Sequence, residues 1–154
     1  MFSVSLQQAD FDPGALEDAL RGGSTDIGAT ACFTGYVRRD PNRPQLTGLS
    51  IEHYPGMTEK TIEASLVDAS ARWPVECARV VHRFGPLDVG DRIVWVGVSS
   101  SHRAAAFAAC EFIMDTLKTT ATLWKRELGL PGEPWVEAKA QDRVRAARWR
   151  KENL

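Results

Sequence analysis

The chain has 154 residues, 44% of them hydrophobic and 25% charged, with a formal net charge of −1. That length is enough to bury a core, and that balance is the balance of a globular protein, so fibrous and disordered classes are excluded. Near-zero net charge supplies no field to attract nucleic acid, and no apolar run approaches the length of a bilayer crossing.

The start, MFSVSLQQADFD, lacks a basic stretch followed by an apolar one, so a cytoplasmic protein is expected, with neither a membrane nor a nucleic-acid partner. Cys32, Cys77 and Cys110 are odd in number and far apart, with no C-x-x-C. They predict no disulfide framework and no zinc site, and each reads as a small buried hydrophobe.

Taken in order, Phe2, Val4 and Leu6 alternate with polar residues and predict a first strand. Asp12-Pro13 is a helix start, with aspartate as N-cap and proline at the first helical position. That helix stops at Gly22-Gly23. A strand follows over residues 28–37, and its small residues Gly28, Ala29, Ala31 and Gly35 predict close packing of another element against it. Residues 38–44, with three arginines and two prolines, form an exposed loop. Arg39 and Arg43 read as solvated; Arg38, held by the strand end, is the ligand candidate.

Leu49, Ile51 and His53 alternate on a third strand, which ends at Tyr54-Pro55-Gly56. Thr58 then caps a helix with Ile62, Leu66 and Ala69 on its inner face, stopped by Pro74. Ala78, Val80, His82 and Phe84 alternate on the next strand, where His82 reads as a structural residue. Gly85-Pro86 and Gly90-Asp91 read as turns around Leu87.

The segment from Val96 to Glu127 is predicted as strand, helix, strand. Any of Ser99, Ser100 and Ser101 can cap the helix, which places His102 and Arg103 where free N–H groups favour an anion. Phe107, Cys110, Met114 and Leu117 form its apolar stripe, and Lys118 lies in its last turn. Glu111 and Asp115 read as a solvated face. After a threonine-rich break, Leu123 to Glu127 make a strand carrying Lys125 and Arg126. Trp135 to Ala138 make a short strand ending at Lys139, and residues 141–149 a short helix. The reading is a single domain over residues 1–150, with a frayed tail at 151–154. Its class is α+β, with a largely antiparallel or mixed sheet of about seven strands and three to four helices, since several strands meet without a helix between them.

Nucleotide cradles, nucleophile elbows and metal-ligand spacings are all absent from the sequence. What remains is basic chemistry at element ends: Arg38, His102, Arg103, Lys118, Lys125, Arg126 and Lys139. Such a set suits an anionic small molecule or an anionic peptide terminus. A catalytic site and a non-catalytic module that docks an acidic partner tail both fit it.

A set of short segments then matches a family in order. They are Phe33-Thr34-Gly35-Tyr36-Val37-Arg38, Glu52-His53-Tyr54-Pro55-Gly56-Met57-Thr58-Glu59-Lys60, Arg72-Trp73-Pro74, His82-Arg83-Phe84-Gly85 and Gly90-Asp91. Ser100-Ser101-His102-Arg103, Phe112 to Lys118, Trp124-Lys125-Arg126-Glu127 and Trp135-Val136-Glu137-Ala138 complete it. Over residues 27–140 the chain resembles the large, catalytic subunit of molybdopterin synthase (the MoaE type).

The resemblance implies a sulfurtransferase of molybdenum cofactor biosynthesis. It would convert cyclic pyranopterin monophosphate into molybdopterin, with sulfur from the thiocarboxylated C-terminal Gly-Gly of a small ubiquitin-like partner. It implies a homodimer with one small subunit at each end, a heterotetramer in all, and neither cofactor nor metal. Lys118 and Lys125 match the catalytic lysines. Tyr36, Val37, Arg38, His102, Arg103, Arg126 and Glu127 match substrate-site positions, and Lys139 stands where the family often has arginine. Tyr36 replaces a frequent lysine, and the segment Thr120 to Leu123 lacks a frequent proline. The two lysines are seven residues apart, about 10 Å along a continuous helix, so their joint action requires the chain to turn back after Lys118.

Overall fold

The computed structural model describes residues 1–150; the tail expected at 151–154 lies outside the described residues. Seven strands and four helices follow in the order β1 (Phe2–Gln7), α1 (Pro13–Arg21), β2 (Ala29–Tyr36), β3 (Gly48–His53), α2 (Met57–Arg72), β4 (Cys77–Arg83), β5 (Gly85–Asp88), β6 (Arg92–Ser100), α3 (Arg103–Thr119), β7 (Leu123–Leu128) and α4 (Ala140–Arg148). They form two sheets, β1-β4-β6-β2 and β5-β3-β7. Only β1 and β4 pair in parallel; every other pairing is antiparallel. The α+β expectation therefore holds.

Strand β6 is the spine, buried along nearly its whole length. Its alternation serves two layers. Val94, Val96 and Val98 join the main core with Ile62, Leu66 and Ala69 of α2 and Ala106, Ala109 and Ile113 of α3. Trp95, on the other face, packs with Phe11 and Leu20 beside α1. Gly97 makes room for that layer, since a Cβ there would overlap the Trp95 ring and Leu20. Gly28 is required for a similar reason, because its Cβ would strike the Ser101 backbone where β2 meets the end of β6.

Local signals explain several boundaries. The Asp12 carboxylate accepts from the Gly14 and Ala15 N–H groups, and Gly22 takes the left-handed conformation (φ 54°) that ends α1. Trp73 is extended ahead of Pro74 and closes α2.

Other expectations are corrected by the packing. The serines do not cap α3. Ser99 and Ser100 are buried in β6, His102 holds the cap position without a side-chain bond, and Ser100 Oγ accepts from the His102 N–H at 3.2 Å. Thr58 lies inside α2, whose cap is Gly56; its buried hydroxyl accepts from the Tyr54 N–H and reaches Thr122. Of the stripe on α3, Cys110 and Leu117 are buried in the core and Met114 packs against it, but Phe107 is 67% exposed, and alanines 105, 106 and 109 with Phe112 and Ile113 widen the buried face. A small-residue face lets helix and sheet approach closely, which a count of large apolar residues overlooks. Residues 85–88 are a strand because β3 offers a partner edge. Trp135 makes one bridge to Arg126, and no strand forms over residues 135–138. Cys110 is buried, but Cys32 is exposed on β2 and Cys77 is half-buried.

Candidate active site

Helix α3 ends where its side chains begin to satisfy its own carbonyls. The Thr119 hydroxyl donates to the Asp115 carbonyl at 2.8 Å, and the Thr120 hydroxyl to the Thr116 carbonyl at 3.0 Å. The chain then reverses into β7, tied down by the Thr58 hydroxyl donating to the Thr122 carbonyl at 2.9 Å. This reversal brings Lys118 and Lys125 to one cavity, close enough for the Lys118 charge to act on Lys125. Burial pushes the Lys125 amine down to about 8, and the neighbouring Lys118 charge pushes the same way.

The two lysines face a cavity of about 340 Å³. Tyr36, Val37 and Arg38 line it from the end of β2, Glu127 from β7 and Lys139 from the segment ahead of α4. Lys125 and Glu127 share one face of β7 because they are two apart. Arg126 lies on the other face, its guanidinium 5.5 Å from the Trp135 ring centre, and does not line the cavity. This corrects the grouping of Arg126 with the lysines.

His102 and Arg103 are also absent from the cavity. They are exposed at the first turn of α3, fifteen residues and about 22 Å from Lys118 along the helix axis. Within one chain, the anion holders at the start of α3 and the lysines at its end do not form one site.

Three contributors were not identified from sequence. His82 sits buried at the cavity wall, its Nδ1 2.7 Å from the Arg83 carbonyl oxygen. Burial pushes its imidazole down to about 4, so it is neutral at physiological pH. Its alternation with Val80 marked it as inward-facing, but nothing local showed that the inward side was a cavity. Arg43, read as solvated, lines the cavity and grips Glu127, with Nη1–Oε1 and Nη2–Oε2 both at 2.8 Å. Asp142 comes from α4, and no sequence signal placed that helix here.

Helix α4 is held against α3 by the two carboxylates expected to be solvated. The Trp149 indole donates to Asp115 at 2.8 Å, and Arg148 pairs with both Glu111 and Asp115. Trp149 also packs edge-on against Trp73 and Phe112. Among the described residues no group of three or more His, Cys, Asp or Glu could hold a metal ion, and no helix is long and apolar enough to cross a membrane. Burial pushes the Cys110 thiol up to about 12, which removes it as a nucleophile at neutral pH.

Chemically, the cavity can hold an anion among Arg38, Lys118 and Lys139, and can move a proton on a lysine amine. A family model described as MoaE protein matches residues 6–120. A molybdopterin synthase catalytic subunit from Pseudomonas aeruginosa is 45% identical over 147 residues, covering 96% of this chain and 98% of the relative. One from Vibrio cholerae is 48% identical over 146 residues, covering 95% and 97%. A solved structure described as a molybdopterin biosynthesis MoaE protein, from Burkholderia ambifaria, superposes with a TM-score of 0.82 at 46% identity, covering 97% of this chain and 98% of that one.

Proposed function

The chain belongs to the MoaE family, and from that premise we propose that its lysine-lined cavity is where molybdopterin synthase chemistry takes place. As the catalytic subunit, the chain transfers sulfur to cyclic pyranopterin monophosphate to form the dithiolene of molybdopterin. The sulfur arrives as the C-terminal thiocarboxylate of a small ubiquitin-like subunit, in the cytoplasm.

The single observation that carries this reading is the meeting of Lys118 and Lys125 at a cavity also lined by Arg38 and Lys139. Substrate phosphate and partner thiocarboxylate are both anions, and guanidinium and ammonium groups are their natural donors. The thiocarboxylate sulfur bonds to a substrate carbon while still acylated, as the bond from that carbon to an oxygen breaks and the departing oxygen takes a proton from a lysine, giving a thioester. Water then cleaves the acyl–sulfur bond, leaving sulfur on the substrate and a carboxylate on the partner. Both steps develop negative charge and both move a proton. Lys118 is the proton carrier in this scheme. Lys125, readily neutral because it is buried beside another amine, orients it and can accept the proton. Tyr36 and Val37 shape the mouth of the cavity beside Arg38.

Two copies of the chain build the complete site. His102 and Arg103 are stranded on the surface, while β2 is the outer strand of its sheet. β2 starts beside His102, with the Gly28 N–H bonded to the Ser100 carbonyl at 3.0 Å, and its far end leads into the cavity at Tyr36 and Val37. Antiparallel pairing of β2 with its copy would set the start of one strand against the end of the other. His102 and Arg103 of each chain would then meet the cavity of the other. Phe33 and Phe107, exposed on this side at 41% and 67%, would be covered. One small subunit per cavity gives a heterotetramer.

The test is reconstitution with thiocarboxylated partner and cyclic pterin. Wild-type protein should form molybdopterin, and Lys118→Ala should lower turnover by about 100-fold or more. Absence of product with wild type, or full turnover in the variant, would overturn the reading.

A further inference from the structure

Glu127 poses a problem for a cavity that binds anions. Its carboxylate shares a face of β7 with Lys125, is only 14% exposed, and points among groups meant for a phosphate or thiocarboxylate. Left alone, it would repel both.

Arg43 answers it. Its two Nη atoms each bond one Glu127 oxygen at 2.8 Å, and its Nε bonds Asp40 Oδ2 at 2.8 Å. The guanidinium is thus fully committed to two carboxylates, in the paired geometry that lysine cannot reproduce. The loop around it is built as well. The Arg43 N–H donates to the Asp40 carbonyl at 3.1 Å, the Leu46 N–H to the Arg43 carbonyl at 3.0 Å, and the Thr47 N–H to the Leu128 carbonyl at 3.0 Å. Leu46, three residues on, is buried. Among the described residues Arg38, in the same loop, makes no ion pair. One arginine of the loop is spent on the protein's own carboxylates, and another is left for a ligand.

We propose that Arg43 is a positioning residue for anion binding, which cancels the Glu127 carboxylate inside the cavity and pins the Arg38 loop to β7. The proposal rests on the reading of this cavity as the substrate site. Arg43 does not touch the substrate; it acts through Glu127.

The experiment is a double-mutant cycle in the reconstituted assay with cyclic pyranopterin monophosphate. Arg43→Ala should raise KM about tenfold with kcat within about twofold, because a carboxylate inside the cavity is uncovered while the lysines are untouched. In a Glu127→Gln background the same Arg43→Ala change should alter KM by less than about twofold, since no charge remains to cancel. Arg43→Lys should fall between, keeping the charge and losing the fork. A purely structural strut would instead lower kcat and the unfolding midpoint, and would ignore the state of Glu127. An unchanged KM in Arg43→Ala, or an equal loss with and without Glu127→Gln, would overturn the proposal while leaving the cavity assignment standing. A wild-type protein that does not turn over the pterin would overturn both.

Discussion

The last turn of α3 delivers Lys118 into a cavity walled by β7, the end of β2 and α4. The first turn of the same helix holds His102 and Arg103 on open surface. Both ends carry cations, and both match the same site in the family pattern. They differ in what surrounds them. At the last turn, a chain reversal and a docked helix enclose the charge, and burial lowers the Lys125 amine to about 8. At the first turn no element among the described residues encloses them. A helix about 22 Å long between those two residues cannot bring its ends together, so within one chain the two groups of cations stay apart.

The largest effect should come from loosening the enclosed end. Trp149→Ala removes a buried indole and its hydrogen bond to Asp115, and should cost about 3 kcal/mol in urea unfolding. Turnover should fall as well, because α4 and the segment before it carry Asp142 and Lys139 to the cavity. An Arg103→Ala change at the open end should leave the urea midpoint within about 0.5 kcal/mol of wild type. Equal destabilisation by the two variants would erase the contrast.

A smaller effect isolates the electrostatics of the enclosed end. The Lys125 amine titrates near 8 in the folded chain against a free value of 10.5. Between those pH values the unfolded chain binds a proton that the folded chain has released, so stability rises with pH across that window. Below about 8 the cost of burying the charge is felt in full. Lys125→Met should therefore raise the thermal midpoint by about 3 °C at pH 7, while abolishing turnover, and the gain should disappear above pH 10.5. A midpoint gain independent of pH would assign the effect to packing.

Much of the fold was legible because its signals are local. Asp12-Pro13, Gly22, Pro74 and the alternation along β1, β3 and β4 each act within a few residues. The alanine part of the buried face of α3 was not legible, since alanines gain their burial from how closely a sheet approaches. β5 was missed because four residues around a proline become a strand only when β3 supplies the partner. In the site, the lysines were legible as cations at element ends, and the resemblance to the family singled them out. Arg43 and Glu127 are 84 residues apart, and nothing in a loop of arginines says which one will find a carboxylate. The separation of His102 and Arg103 from Lys118 follows from helix length alone, once α3 is known to be unbroken.

The central claim is that the open end of one chain completes the enclosed end of another. It is tested most directly by mixing two inactive variants, Arg103→Ala and Lys118→Ala, under conditions that exchange subunits. Random exchange should restore about a quarter of wild-type turnover, because half the dimers are mixed and each mixed dimer contains one intact site. A mixture no more active than its two parents would contradict the account and place each complete site within a single chain.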